Sequence, residues 1–139
     1  MIKIFVVDDH PVVRRAICMI LSEESDMVVV AEAATGGDAL RIGSGLDYDV
    51  VVLDLTMPDL GGIDVLKTLK RLHPSKPVLI LTMDSSAKLE SRALRAGASR
   101  VITKKDVPQL LVSAIRQIVE SNAQRPADST SENQRKDPE

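Results

Sequence analysis

Five short apolar runs recur along this chain, and each gives way to a polar or charged residue. They are Ile2 to Val7 (IKIFVV), Met27 to Ala31, Val50 to Leu53, Val78 to Leu81 and Arg100 to Thr103. Their length and β-branched content read as strands. Between them lie segments with helical spacing of apolar residues. Val12 to Leu21 carries Val13, Ala16, Ile17, Ile20 and Leu21 on one face, and Pro11 suits its first turn. Thr35 to Gly43 reads as a helix with Thr35 as N-cap and Asp38 in the first turn. Ile63 to Leu72, Ala87 to Ala96 and Val107 to Val119 complete the set, with Gly97 as a C-cap and Asp106 with Gln109 as a capping pair. Strands and helices alternating at this spacing form βαβ units. The expected fold is therefore α/β: a single doubly wound five-stranded parallel sheet with helices on both faces. Val50 to Leu53 is apolar on both faces and belongs at the sheet's centre.

The 139 residues suit one domain with a substantial core. That core must be aliphatic, because Phe5 and Tyr48 are the only aromatics. The folded unit is read as residues 1–121. Residues 122–139 contain no large apolar side chain, cannot offset their ordering entropy by burial, and read as a flexible polar tail or linker. A formal charge of −2 offers no basic field for the phosphates of nucleic acid. The single cysteine, Cys18, reads as a reduced core residue and fits a cytoplasmic chain. No signal peptide is evident, and no apolar run approaches the roughly 20 residues that cross a bilayer.

Sites in such sheets form outside the carboxyl ends of the strands, where the strand order switches. Asp8, Asp9 and His10 follow the first run, Asp54, Leu55 and Thr56 the third. Thr82, Met83 and Asp84 end the fourth, and Lys104, Lys105 and Asp106 follow the fifth. Three carboxylates at one rim repel each other, and a hard divalent cation relieves that repulsion. Oxygen ligands with positions left for water suit Mg2+. A lysine and a threonine can hold phosphate oxygens, and an aspartate can itself be the nucleophile. The set suits a phosphoryl group held on or beside a carboxylate.

These residues resemble the receiver domain of two-component response regulators. The likeness runs from about Ile2 to Glu120. The stretches VVDDHPVVRRAI, DVVVLDLTMPDLGG, VLILTM and RAGA are similar to the NarL/FixJ-type subfamily, whose usual output is helix-turn-helix DNA binding. The resemblance implies a flavodoxin-like (βα)5 receiver with strand order 2-1-3-4-5. It implies that Asp54 accepts a phosphoryl group from a histidine kinase or phosphotransfer protein. Asp9 would bind Mg2+ directly, Asp8 mainly through water, and Asp54 and the Thr56 backbone carbonyl would complete the protein ligands. Thr82 and Lys104 would hold the phosphoryl oxygens. Phosphorylation would reshape the face built on the fourth helix, fifth strand and fifth helix, with a homodimer as one outcome. DNA binding would not reside in these residues: the chain reads either as a stand-alone receiver or as part of a longer regulator whose output domain lies outside them.

One switch position departs from the pattern: Val101 stands where receivers often carry an aromatic residue, and its stiff β-branched side chain offers little area to move. His10 reads as a cap or packing residue and Lys105 as solvent-facing. Asp84 reads first as the cap of the fourth helix. Its position two residues past Thr82 also suggests a role in the lifetime of an aspartyl phosphate. The alternative function is a small haloacid-dehalogenase-like, Mg2+-dependent phosphatase. That chemistry needs a second aspartate two residues after the nucleophile, and Thr56 occupies the position. A flavin carrier would want a phosphate-cradling loop where Asp8 and Asp9 stand.

Overall fold

The computed structural model describes residues 1–56, 61–84 and 86–124. Its elements run β1 (Ile2–Val7), α1 (Pro11–Ser22), β2 (Met27–Ala33), α2 (Gly36–Gly43), β3 (Val50–Asp54), α3 (Gly62–Leu72), β4 (Val78–Thr82), α4 (Ala87–Arg95), β5 (Arg100–Thr103) and α5 (Val107–Ala123). A short 3-10 turn, Lys104–Asp106, joins β5 to α5. The sheet has strand order β2-β1-β3-β4-β5, and every neighbouring pair is parallel. Both expectations, the doubly wound parallel sheet and the 2-1-3-4-5 order, hold.

The period of two along a strand divides the core between the two faces. Val51 and Leu53 of β3 join Phe5, Leu66, Leu69 and Ala93 on one side. Val50 and Val52 join Ile17, Leu21, Leu111 and Ile115 on the other. Every residue of β3 and of β4 is buried. Each fully buried valine or leucine contributes roughly 1.5–3 kcal/mol relative to exposure, so the register of these strands is strongly fixed. Phe5 and Tyr48 lie in the same layer with ring centroids 5.8 Å apart, and burial pushes the Tyr48 phenol up to about 12.

Two glycines are required by the backbone. Gly97 follows α4 with φ 115°, the left-handed region that ends helices. Gly62 opens α3, and a Cβ there would stand 2.4 Å from the Leu55 carbonyl oxygen. The start of α3 is thus pressed against the chain directly after Asp54.

The helix ends confirm some expectations and correct others. Thr35 caps α2 by accepting the Asp38 N–H at 3.0 Å. Asp84 does not cap α4: Ser86 is the N-cap, and its hydroxyl accepts the Leu89 N–H at 3.1 Å. Asp84 sits ahead of it and accepts the Ser86 N–H at 2.9 Å. Asp106 makes no side-chain cap for α5, because Thr103 donates its hydroxyl to the Asp106 carboxylate at 2.8 Å. The α5 helix continues to Ala123, and the tail read from residue 122 lies, from residue 125 onward, outside the described residues. Among the described residues no helix is long and apolar enough to cross a membrane.

Candidate functional site

Parallel strands deliver their carboxyl ends to one rim. Asp54 is the last residue of β3, pairs with Leu81, and is 0% exposed. The ladder to β4 continues one step beyond it, with the Leu55 N–H on the Leu81 carbonyl at 3.0 Å. Asp8 leaves β1 with its N–H bonded to the Ala33 carbonyl at 3.0 Å, and it too is fully buried. Its own carbonyl accepts Arg14 Nη1 at 2.8 Å. Thr82 ends β4 beside Thr103 and is fully buried. Lys104 opens the turn after β5, with a side chain only 6% exposed.

The side chains converge. Lys104 Nζ lies 3.1 Å from Asp8 Oδ2 and 3.2 Å from Asp54 Oδ2. These are ion pairs without hydrogen-bond alignment: Asp8 Oδ2, Asp54 Oδ2 and Asp9 Oδ1 are buried oxygens that make no hydrogen bond. Thr56 treats the other Asp54 oxygen differently. Its backbone N–H and its hydroxyl both donate to Asp54 Oδ1, at 3.0 and 2.7 Å.

Burial pushes the Asp54 carboxyl upward, but the two Thr56 donors and the Lys104 charge outweigh it and hold the group below the usual carboxylate range. Asp9 goes the other way. Burial, and after it the neighbouring Asp54, raise it, with His10 partly opposing. The unbonded carboxylate oxygens around one point fit a hard divalent cation such as Mg2+, which Asp8, Asp9 and Asp54 could hold.

Asp8, Asp9, Asp54 and Lys104 are thus brought together as expected. Thr82 stands at the same rim, but its hydroxyl accepts the Asp84 N–H at 3.0 Å. Lys105 is exposed, as read. Cys18 is half-buried, and its surroundings, chiefly burial and then Glu32, push the thiol up to about 11, so it stays an unreactive thiol. Two contacts escaped the sequence. One is the double donation from Thr56. The other is His10, which neither packs in the core nor caps α1 with its side chain. Its ring is 51% exposed and Nδ1 sits 3.1 Å from Asp9 Oδ1. The available signal was its place directly after Asp8 and Asp9.

A doubly wound sheet with a buried aspartate, flanking acids and a lysine at its carboxyl rim belongs to the class of α/β domains that manage a cation and an anionic group at one site. The family is then specific. The model of the response regulator receiver domain matches residues 4–116, and the chain belongs to that family. It is 36% identical to the response regulator GacA of Pseudomonas aeruginosa over 118 residues, covering 85% of this chain and 55% of that protein. It is 35% identical to the nitrate/nitrite response regulator protein NarP of Escherichia coli over 114 residues, covering 82% and 53%. The fold matches the crystal structure of a LuxR-family two-component response regulator from Aurantimonas sp. with TM-score 0.81 and 35% identity, over 94% of this chain and 98% of that one. The response regulator domain of Thermotoga maritima CheB matches with TM-score 0.80 and 30% identity, over 86% and 97%. These relatives put the chain with receivers of the NarL/FixJ type. The chain spans about half the length of the curated relatives it matches, 55% and 53% in these two cases. Receivers are signalling switches, which sets the phosphatase alternative aside.

Proposed function

We propose that Asp54 is the phosphoacceptor of a receiver that takes a phosphoryl group from a histidine kinase or phosphotransfer protein. The observation that carries this reading is the division of labour on the Asp54 carboxylate. Oδ1 is tied by Thr56, while Oδ2 is unbonded and faces Lys104 Nζ at 3.2 Å. In the reaction, one Asp54 oxygen attacks phosphorus, the phosphorus–nitrogen bond of the donor histidine breaks, and an acyl phosphate forms. Lys104 is placed to pair with a phosphoryl oxygen. Thr82, whose hydroxyl oxygen accepts the Asp84 N–H, would donate a hydrogen bond from its hydroxyl to the phosphoryl group. Asp8, Asp9, Asp54 and the Thr56 carbonyl would hold Mg2+, which when bound offsets the charge on the phosphoryl oxygens.

The chain supplies the positioning for its own phosphorylation and for slow loss of the group, and it turns over no separate substrate. The product changes a surface: homodimerisation on phosphorylation and release or engagement of a helix-turn-helix output domain beyond residue 121 fit the NarL/FixJ kinship. Residues 122–139 would serve as tail or linker. The setting is cytoplasmic, with no direct contact to nucleic acid or membrane by these residues. Incubation with a small phosphodonor and Mg2+, followed by intact mass, tests the reading. One phosphoryl adduct on the wild type and none on Asp54→Asn is the expected result; no adduct on the wild type overturns it.

A further inference from the structure

Asp8, Asp9, His10 and Asp54 each offer one ligand atom, and these atoms all lie within 4.8 Å of one another. Three carboxylates against the single Lys104 ammonium leave two negative charges, which one divalent cation offsets. An imidazole among these oxygens changes the kind of cation that suits the site.

His10 Nδ1 is 3.2 Å from Asp8 Oδ1, 3.1 Å from Asp9 Oδ1 and 3.7 Å from Asp54 Oδ2. It is also 3.1 Å from Lys104 Nζ. The ammonium has only protons to give, so toward it Nδ1 must present a lone pair. Toward the carboxylates it would have to present a proton. One ring nitrogen cannot do both. Asp9 Oδ1 and Asp54 Oδ2, the oxygens facing Nδ1 from two sides, make no hydrogen bond, and the Asp54 side chain is 0% exposed. Nδ1 also stands within hydrogen-bond distance of Asp8 Oδ1, and the four ligand atoms lie close enough together to act as one coordination set. The ring is anchored there as well: the His10 N–H is held by Asp8 Oδ1 at 2.8 Å, and Pro11 fixes the start of α1 immediately after it.

We infer that His10 Nδ1 is a ligand of the divalent site and moves its preference from Mg2+ toward borderline ions such as Co2+ and Ni2+. Hard Mg2+ takes oxygen and keeps its water, whereas an imidazole nitrogen gains most with the later first-row ions. The inference rests on the reading of this rim as the receiver's cation site and specifies what that site selects.

Calorimetric titration of the full chain with Mg2+ and with Co2+, each alone, tests it beside His10→Phe and His10→Gln. The ratio of Co2+ to Mg2+ affinity is expected to fall by at least about tenfold in His10→Phe, the scale on which metal-site partners act. Spin-echo spectra of the Mn2+-loaded wild type are expected to show nitrogen modulation, a readout that needs no variant to fold. An unchanged affinity ratio in both variants, or a Mn2+ echo without nitrogen modulation, overturns the role of His10 while leaving the oxygen site standing. Failure of the wild type to bind either ion overturns the cation site and this inference together.

Discussion

Thr56 holds Asp54 by two donors on a single oxygen, its N–H at 3.0 Å and its hydroxyl at 2.7 Å, both to Oδ1. The carboxylate therefore cannot rotate freely, and Oδ2 is the atom left facing Lys104. Thr56→Val keeps the backbone donor and removes the hydroxyl. A hydrogen bond to a charged group contributes about 1.5–3 kcal/mol, and most of that should be lost. The sign with pH follows from linkage. Asp54 is held below its unfolded value, so its contribution is present above about pH 4 and is lost as pH falls through the lower folded value. In Thr56→Val the folded value rises toward the unfolded one, so the variant starts less stable and loses less stability over the same acid range. Melting temperatures from pH 6 to pH 3 without divalent ions check this. Parallel curves for the two proteins would contradict it.

The ionised form of Asp9 is disfavoured in the metal-free fold, its carboxyl raised by burial and then by Asp54 beside it. Asp9→Asn should stabilise the metal-free protein by roughly 3 °C, the shift expected for somewhat less than 1 kcal/mol in a domain of this size. It should also abolish the further rise that Mg2+ gives the wild type. Thermal melts with and without Mg2+ measure both. A destabilised Asp9→Asn protein that still responds to Mg2+ would refute the assignment.

The sequence made the chemistry legible because parallel topology converts order into place. Asp8, Asp54, Thr82 and Lys104 each stand at the end of an apolar run, and runs of a parallel sheet end at one rim. What stayed hidden depends on side-chain torsions and local competition between bonds. Asp106 stands at the N-cap position of α5, which starts at Val107 as read, but its carboxylate takes the Thr103 hydroxyl and makes no capping bond. Asp84 and Ser86 are both good caps by type, and only the backbone path chooses Ser86. The direction of the His10 ring, and the double bond donation by Thr56, have no period or composition that would signal them.

Gly62 links packing to the site. A Cβ at this position would meet the backbone of Leu55 at 2.4 to 2.7 Å, and backbone there cannot yield without moving the residue next to Asp54. Gly62→Ala should cost about 3 kcal/mol, the upper part of the range for overpacking, and should weaken Mg2+ binding as well. Urea unfolding and calorimetry check the two effects. A stable Gly62→Ala protein with normal Mg2+ binding would show that α3 can shift without disturbing the site.

Val101 lines a cavity of about 190 Å³ that it shares with Thr82, Asp84, Arg100 and Leu110. A valine has little area to fill that space or to move within it. Phosphorylation of the wild type should therefore shift the monomer–dimer constant by less than about tenfold, or 1.4 kcal/mol. Val101→Tyr, which places a ring against the cavity, should enlarge the shift. Sedimentation with and without a small phosphodonor measures both. A large shift in the wild type would mean that another element carries the signal.

The central claim is chemical: a phosphoryl group is carried on the Asp54 carboxylate itself. Borohydride reduces an acyl phosphate to the alcohol and leaves free carboxylates intact. Treating the phosphodonor-loaded protein with borohydride and sequencing its peptides by mass spectrometry locates the modified residue. Homoserine at position 54, dependent on both phosphodonor and Mg2+, is the predicted result. Reduction at any other aspartate, or at none in a protein that carries the phosphoryl mass, would contradict the account.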